Sequence, residues 1–488
     1  MENHKLIAYL NTISRKEMTR FREFVFSPYF NKHEGVRALV SYFDSIFPQL
    51  DRKRCNKVAL TEALFPNDPE NVRQLPLLFT YTIRLVDQFM IQEQFKQQTS
   101  QQNTMLLQSL RTRKLFHRYD RTLEKAKEQL NNRKLQDSSY YNSQYLLAAE
   151  ADEYYRQIEL RRKDLSIQQK QNSLDKFYIS EKLKDACEMQ VRSKILKIDY
   201  ATRLLETVIS EVRENEAVYS EEPTIYIYYK IYQMVLTSEQ DYYFEALDSL
   251  EGNQERFSKA ELKQIYNYFQ NFCIEQINRG EEQKFLAEIF KLYQSQLDQA
   301  LILEEGLLSE WHYKNIVTTG LRLKEMEWVR QFIEAYKDRL RAHSVENAYT
   351  YNMASYYHAT RQFDKVLDLL IRVEYLDLRY SLGAKALLLR TYFELGEYES
   401  LYSLTDSFRQ YLHRNKLMAD SRREGYYNLF KFTKRLGQLK SSYSFVQPEK
   451  FQKEFEKLKQ EIAKATIFNK SWLQEKMELV GKSESRKL

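Results

Sequence analysis

Apolar positions recur along this chain at the three-and-four spacing of an amphipathic helix, and almost nowhere in strict alternation. Leu6, Ile7 and Leu10 form the first stripe. Ser14 and Glu17 then stand in the S-x-x-E arrangement of a capping box, in which each side chain satisfies a backbone N–H that a new helix leaves free. Met18, Phe21 and Val25 follow at helical spacing, and Pro28 ends that helix because the residue before proline avoids the α region. Another helix is predicted from Gly35 to about Phe47, and Phe65-Pro66-Asn67-Asp68-Pro69 reads as a turn. A long helix then carries Leu77, Leu78, Tyr81, Leu85, Phe89 and Phe95, with Pro76 either starting it or kinking it.

The polar stretch Gln97 to Thr104 is the exposed end of a helix or a linker, and it closes a helical N-terminal module over 1–96. Long amphipathic helices are expected over 105–223, until Asn215 to Thr224, with Pro223, breaks the pattern. Repeats are read over 224–440, capping helices over 441–480 and a disordered tail over 481–488. Phe451, Phe455, Leu458, Ile462 and Ile467 suit a last helix that covers an otherwise bare apolar face. A membrane-surface helix is the sharper alternative, weakened by Glu454, Glu456 and Glu461 on its polar face.

Within 224–440 three short turns recur, each with an aromatic just after a break between helices: Met326-Glu327-Trp328, Arg361-Gln362-Phe363 and Leu395-Gly396-Glu397-Tyr398. The three aromatics fall 35 residues apart. Asp241-Tyr242-Tyr243, and Asn278-Arg279-Gly280 ahead of Phe285, are less regular candidates. Ser258 and Glu261 make a second capping box ahead of Leu262, Ile265, Tyr266 and Phe269. This pattern resembles tetratricopeptide repeats, whose units place two helices in about 34 residues. In the best unit, Asn347 to about Arg379, Ala354 stands at the small position of the first helix and Tyr357 at its aromatic position. Phe363 opens the second helix, with Val366 and Leu370 on its inner face. The next unit matches through Tyr392, Gly396, Tyr398 and Leu401. Val366 and Leu401 depart from the small residue usual in the second helix, and no proline closes either unit.

The resemblance implies an all-α fold: a right-handed α-solenoid of helix pairs behind the helical N-terminal module, with a concave face that binds a protein or peptide partner. On that face it places Tyr351, Ser355 and His358 in one unit, and Arg390 and Phe393 in the next. The alternative is that Tyr351 and Phe393 only pack between repeats. The Lys and Asn positions of carboxylate-binding grooves in this family are not matched. The stretch Ser27-Pro28-Tyr29-Phe30-Asn31-Lys32 is similar to one in a family of uncharacterised bacterial helical-repeat proteins, which implies no particular activity.

Composition sharpens the picture in three places. The 488 residues hold only 10 Gly and 7 Pro, far below the ~7% and ~5% of average usage, which favours long helices and short connections. The 37 Tyr and 28 Phe suit a thin core between paired helices, with the Tyr hydroxyl at its wet edge. Cys55, Cys187 and Cys273 are too far apart for a metal or redox motif, so a reducing, cytoplasmic compartment is expected. The first residues do not read as a signal peptide, and no apolar run approaches the ~18 residues of a membrane span.

Enzyme chemistry finds little support. There is no G-x-x-x-x-G-K-[ST] and no G-x-G-x-x-G, so the clustered glycines of a phosphate cradle are missing. His33-Glu34-Gly35-Val36-Arg37 begins like H-E-x-x-H, but Arg37 stands in place of the second ligand. Neither catalytic residues nor a cofactor nor a metal is expected. Charge offers one alternative. The chain carries +7 overall, with +6 between Met105 and Leu135 and +7 between Lys431 and Leu488. Arg111, Arg113, Lys114, Arg118 and Arg121 are the candidate contacts for an anionic partner. The leading expectation is a non-enzymatic scaffold or adaptor. The alternative is a nucleic-acid-associated helical protein that uses 105–135 and 431–488.

Overall fold

The computed structural model describes residues 4–66, 69–158, 166–370, 378–414, 420–442 and 447–485. Among these residues the protein is all-α, apart from a two-residue antiparallel ribbon pairing Leu303–Glu304 with Leu307–Leu308. Tertiary contacts divide the chain into two compact units, Met1–Tyr229 and Lys230–Leu488.

The first unit runs through α1 (Lys5–Leu10), α2 (Arg15–Phe26), α3 (Glu34–Ile46), α4 (Lys57–Leu64), α5 (Leu75–Lys96), α6 (Thr99–Thr112), α7 (Phe116–Asn131), α8 (Ser138–Gln157), α9 (Ser166–Leu196), α10 (Leu205–Glu214) and α11 (Glu216–Tyr219). The first stripes build its N-terminal core: Leu6, Ile7, Leu10, Met18, Phe21 and Val25 are buried with Leu39, Phe43 and Phe79. The Ser14–Glu17 capping box forms in both directions, and α2 stops at Phe26, two residues before Pro28. Pro76 lies in the first turn of α5 and therefore starts that helix. Leu77 is 49% exposed and does not share the buried stripe of Leu78 and Leu85. Asn67 and Asp68 of the predicted turn lie outside the described residues. Only Gln97 and Gln98 separate α5 from α6; the rest of the polar stretch is the opening of α6, so helix follows helix there.

The helix α12 (Pro223–Thr237) spans the division between the units. The second unit continues with α13 (Gln240–Glu251), α14 (Lys259–Arg279), α15 (Glu282–Asp298), α16 (Glu310–Arg322), α17 (Met326–Tyr336), α18 (Val345–Ala359), α19 (Phe363–Leu370), α20 (Leu378–Leu395), α21 (Tyr398–Arg414), α22 (Asp420–Ser442), α23 (Pro448–Lys464) and α24 (Lys470–Ser485). Consecutive helices pack as hairpins: α14 with α15, α16 with α17, α18 with α19, α20 with α21. A second set of contacts links α16 to α18, α18 to α20, α20 to α22 and α22 to α24. The first helices of successive hairpins thus form one layer.

The hairpin turns share a backbone device. Gly280, Lys324, Arg361 and Gly396 each adopt the left-handed conformation just past a helix. In each case the next N–H reaches back across the turn: Glu281 to Gln276 O, Glu325 to Gly320 O, Gln362 to Tyr357 O and Glu397 to Tyr392 O, at 2.8–3.1 Å. This is the Schellman closure, and it satisfies carbonyls that a helix end leaves open. Lys324, Arg361 and Gly396 are 37 and 35 residues apart, so Trp328 is not the equivalent of Phe363. Phe363 and Tyr398 are the first residues of α19 and α21, whereas Trp328 is the third of α17. Phe363 meets His358 edge-on at 5.5 Å and Tyr398 meets Phe393 at 6.4 Å. Trp328 instead stacks on Phe332 at 5.3 Å. Residues 371–377 of the best-matching unit lie outside the described residues.

At the C-terminal end Phe451, Phe455, Leu458 and Ile462 are buried with Leu473, Met477 and Val480. Burial of Val480 carries α24 on past Gly481 to Ser485, where the sequence predicts a disordered tail; residues 486–488 lie outside the described residues. Among the described residues no helix is long and apolar enough to cross a membrane.

Candidate functional site

Helical periodicity assembles the most unusual polar cluster of the second unit. On α18, Tyr351, Ser355 and His358 are four and three residues apart and share one face. On α20, Gly383, Arg390 and Glu394 are seven and four apart, and the two helices pack together. Gly383 leaves the space in which the Tyr351 ring lies: a Cβ there would stand 2.9 Å from the Tyr351 hydroxyl. Tyr351 meets Tyr380 edge-on at 5.4 Å, and the Lys314 Nζ sits 4.7 Å from the Tyr351 ring centre. The Ser355 hydroxyl donates to the Tyr351 carbonyl at 2.9 Å.

Arg390 is the centre of this cluster. Its Nε is buried without a hydrogen-bond partner, and among the described residues its guanidinium makes no hydrogen bond or ion pair. Burial disfavours its charge, offset in part by Tyr351, Glu394 and Tyr426. The nearest carboxylate on its own helix is engaged elsewhere: Glu394 takes Lys476 Nζ at 2.8 Å and accepts from Trp472 Nε1 at 2.9 Å. His358 Nε2 is also buried without a partner. Burial, reinforced by the positive charges of Arg390 and Lys476, pushes its pKa down to about 3, so the ring is neutral. Burial pushes the Tyr426 hydroxyl up to about 12.

Tyr351, Ser355, His358 and Arg390 are therefore brought together, each half-buried. Phe393 is not available to a partner. It is 2% exposed, because Trp472 of α24 lies edge-on against it at 5.7 Å. Glu394 was within reach of sequence reasoning, one turn after Arg390. Tyr426, Trp472 and Lys476 were not, since they arrive from helices distant in the chain.

The basic segment of the first unit divides. Arg111 is committed to Glu150, with Nε to Oε1 at 2.7 Å and Nη2 to Oε2 at 3.2 Å, and the Glu150 side chain is 4% exposed. These two bonds give Arg111 a structural role between α6 and α8. Arg113 bonds back to Ser109, and Lys114 is the left-handed residue of the α6–α7 turn. Arg118 and Arg121 are exposed on α7 with no ion pair among the described residues. In the C-terminal segment Lys434 pairs with Asp406 at 2.7 Å, and Arg435 with Glu461. The described residues contain no group of three His, Cys, Asp or Glu placed to hold a metal ion, and all three cysteines are buried free thiols. No family model matches the chain, and comparison with curated proteins and with solved structures gives no match.

Proposed function

We propose that this protein is a non-enzymatic interaction scaffold, and that its second unit is a right-handed, tetratricopeptide-like solenoid holding a protein or peptide along the layer of first helices. The observation that carries this reading is the Tyr351–Ser355–His358–Arg390 cluster. His358 Nε2 and Arg390 Nε, both buried without partners, stand on adjacent first helices, where a folding role alone leaves them costly. Tyr and Arg are also the residue types that dominate binding hot spots. Buried free thiols suit a reducing compartment such as the cytoplasm.

The test is affinity capture from native lysate, with and without nuclease, at low and high salt. Defined proteins retained through nuclease and high salt, and lost with Tyr351→Ala or Arg390→Met, are the expected result. Capture that is unchanged in both variants sinks the assignment of this face. A second reading, nucleic-acid association, is favoured by the exposed Lys114, Arg118 and Arg121 at one hairpin end. Capture that disappears with nuclease and falls steeply with salt selects it.

A further inference from the structure

Lysine and arginine are rarely left in a protein interior without a counter-charge, because desolvation penalises the ion and nothing repays it. Arg390, half-buried, approaches this case at one atom. Its Nε is shut off from solvent and unbonded, while no carboxylate among the described residues pairs with its guanidinium. The nearest candidate, Glu394, acts on Arg390 only through space, and its Oε1 is taken by Lys476 and Trp472. Lys476 has a second carboxylate in Glu475, at 3.2 Å. Of these two cations, Arg390 is therefore the one without a direct carboxylate contact among the described residues. The groups facing it are suited to an oxyanion: the Tyr351 hydroxyl, given room by Gly383, is a donor, and the neutral His358 ring carries one N–H. A guanidinium presents its donors as a planar fork that matches two oxygens at once.

We infer that Arg390, Tyr351 and His358 form a subsite for a singly charged oxyanion carried by the partner. This rests on the scaffold reading only for the word partner; the subsite itself is a property of the chain. A carboxylate and a phosphate group share the required chemistry, and one guanidinium beside two neutral donors matches a monoanion such as a carboxylate better than a phosphate dianion.

The experiment is calorimetric titration of the full-length protein with sodium acetate and, separately, with inorganic phosphate at constant ionic strength. Saturable binding of either anion is expected, weakened at least tenfold by Arg390→Met and unchanged by the double substitution Arg118→Gln and Arg121→Gln. Preference for acetate identifies a carboxylate, and preference for phosphate a phosphorylated group. Absence of saturable binding of both anions overturns the inference, as does binding by Arg390→Met within twofold of the parent. Circular dichroism checks the fold of each variant. Should Arg390→Met fail to fold, Tyr351→Phe carries the test: it removes one donor, and a severalfold loss is expected against no change. Anion binding that persists while no protein is captured from lysate defeats the scaffold reading and leaves the subsite; capture without anion binding does the reverse.

Discussion

Arg111 in the first unit and Arg390 in the second are both part-buried between helices, and their surroundings differ in one respect. Arg111 meets Glu150 through two parallel bonds, and the Tyr119 hydroxyl donates to the Glu150 carbonyl behind it. Arg390 has Tyr351, Tyr426 and Glu394 acting on its charge, and the Oε1 of Glu394 is taken by Lys476. The first arrangement holds α6 against α8 through two charge-assisted bonds. The second leaves the Nε donor unused. A basic residue at helical spacing reads the same in both places; only the carboxylate across the interface separates a structural ion pair from a candidate contact.

The comparison makes predictions, largest first. Glu150→Ala strands a part-buried guanidinium and removes its buried carboxylate, and unfolding in urea should register a loss of about 3 kcal/mol. A smaller loss than about 1 kcal/mol would mean that the pair behaves as a surface bridge and that the contrast with Arg390 is empty. His358 gives the next effect, and its sign follows from its lowered folded pKa. Between about 3 and the ordinary 6.5, the unfolded chain binds a proton that the folded chain does not. Stability therefore rises with pH through that window and is lost as pH falls from 6.5, by at most about 1.4 kcal/mol per pH unit for one site. The groups acting on the ring are Arg390 and Lys476, both cationic, with Phe363 edge-on. His358→Gln should flatten this part of the pH profile in thermal melts; an unchanged slope assigns it to other groups. Arg390→Met should leave stability level or raise it by about 1 kcal/mol, since it replaces an unpaired ion with an apolar side chain of similar length. A drop above 2 kcal/mol would show that Arg390 is as structural as Arg111.

The smallest effect concerns the turns. Arg361 and Gly396 occupy the same left-handed position in neighbouring hairpins. Left-handed backbone costs a residue with a Cβ roughly 1 kcal/mol. Arg361→Gly should therefore stabilise by up to about 1 kcal/mol, and Gly396→Ala should destabilise by a similar amount. Equal and opposite shifts in melting temperature would show that the two turns are interchangeable.

Much of this architecture was legible in the chain because it rests on periodicity. The stripes of Leu6 to Leu10 and Met18 to Val25, the Ser14 cap and the start of α5 at Pro76 all follow from local rules that tertiary packing reinforces. The register of the turns was only half legible. A left-handed Lys324 carries no sequence signature, whereas Gly396 does. The site was legible by helix face: the spacing of Tyr351, Ser355 and His358 places them together whatever the neighbours. What spacing does not reveal is what lies opposite. Phe393 has the register of a face residue but meets Trp472, about eighty positions away, and Arg111 meets Glu150 from the next helix but one.

The shared turn has a consequence for how such a surface changes over time. Ser355 and Arg390 each lie six residues before the left-handed residue of their hairpin, and His358 and Phe393 each lie three before it. The backbone closure fixes these columns without reference to the side chains that fill them. Exchanging the column residues, Ser355→Arg with Arg390→Ser, would slide the positive charge along the layer by one helix spacing, about 10 Å. No new loop, cap or core would be needed. On the scaffold reading proposed above, selectivity would be written in a few interchangeable letters on a fixed ruling, and two substitutions would move its charge.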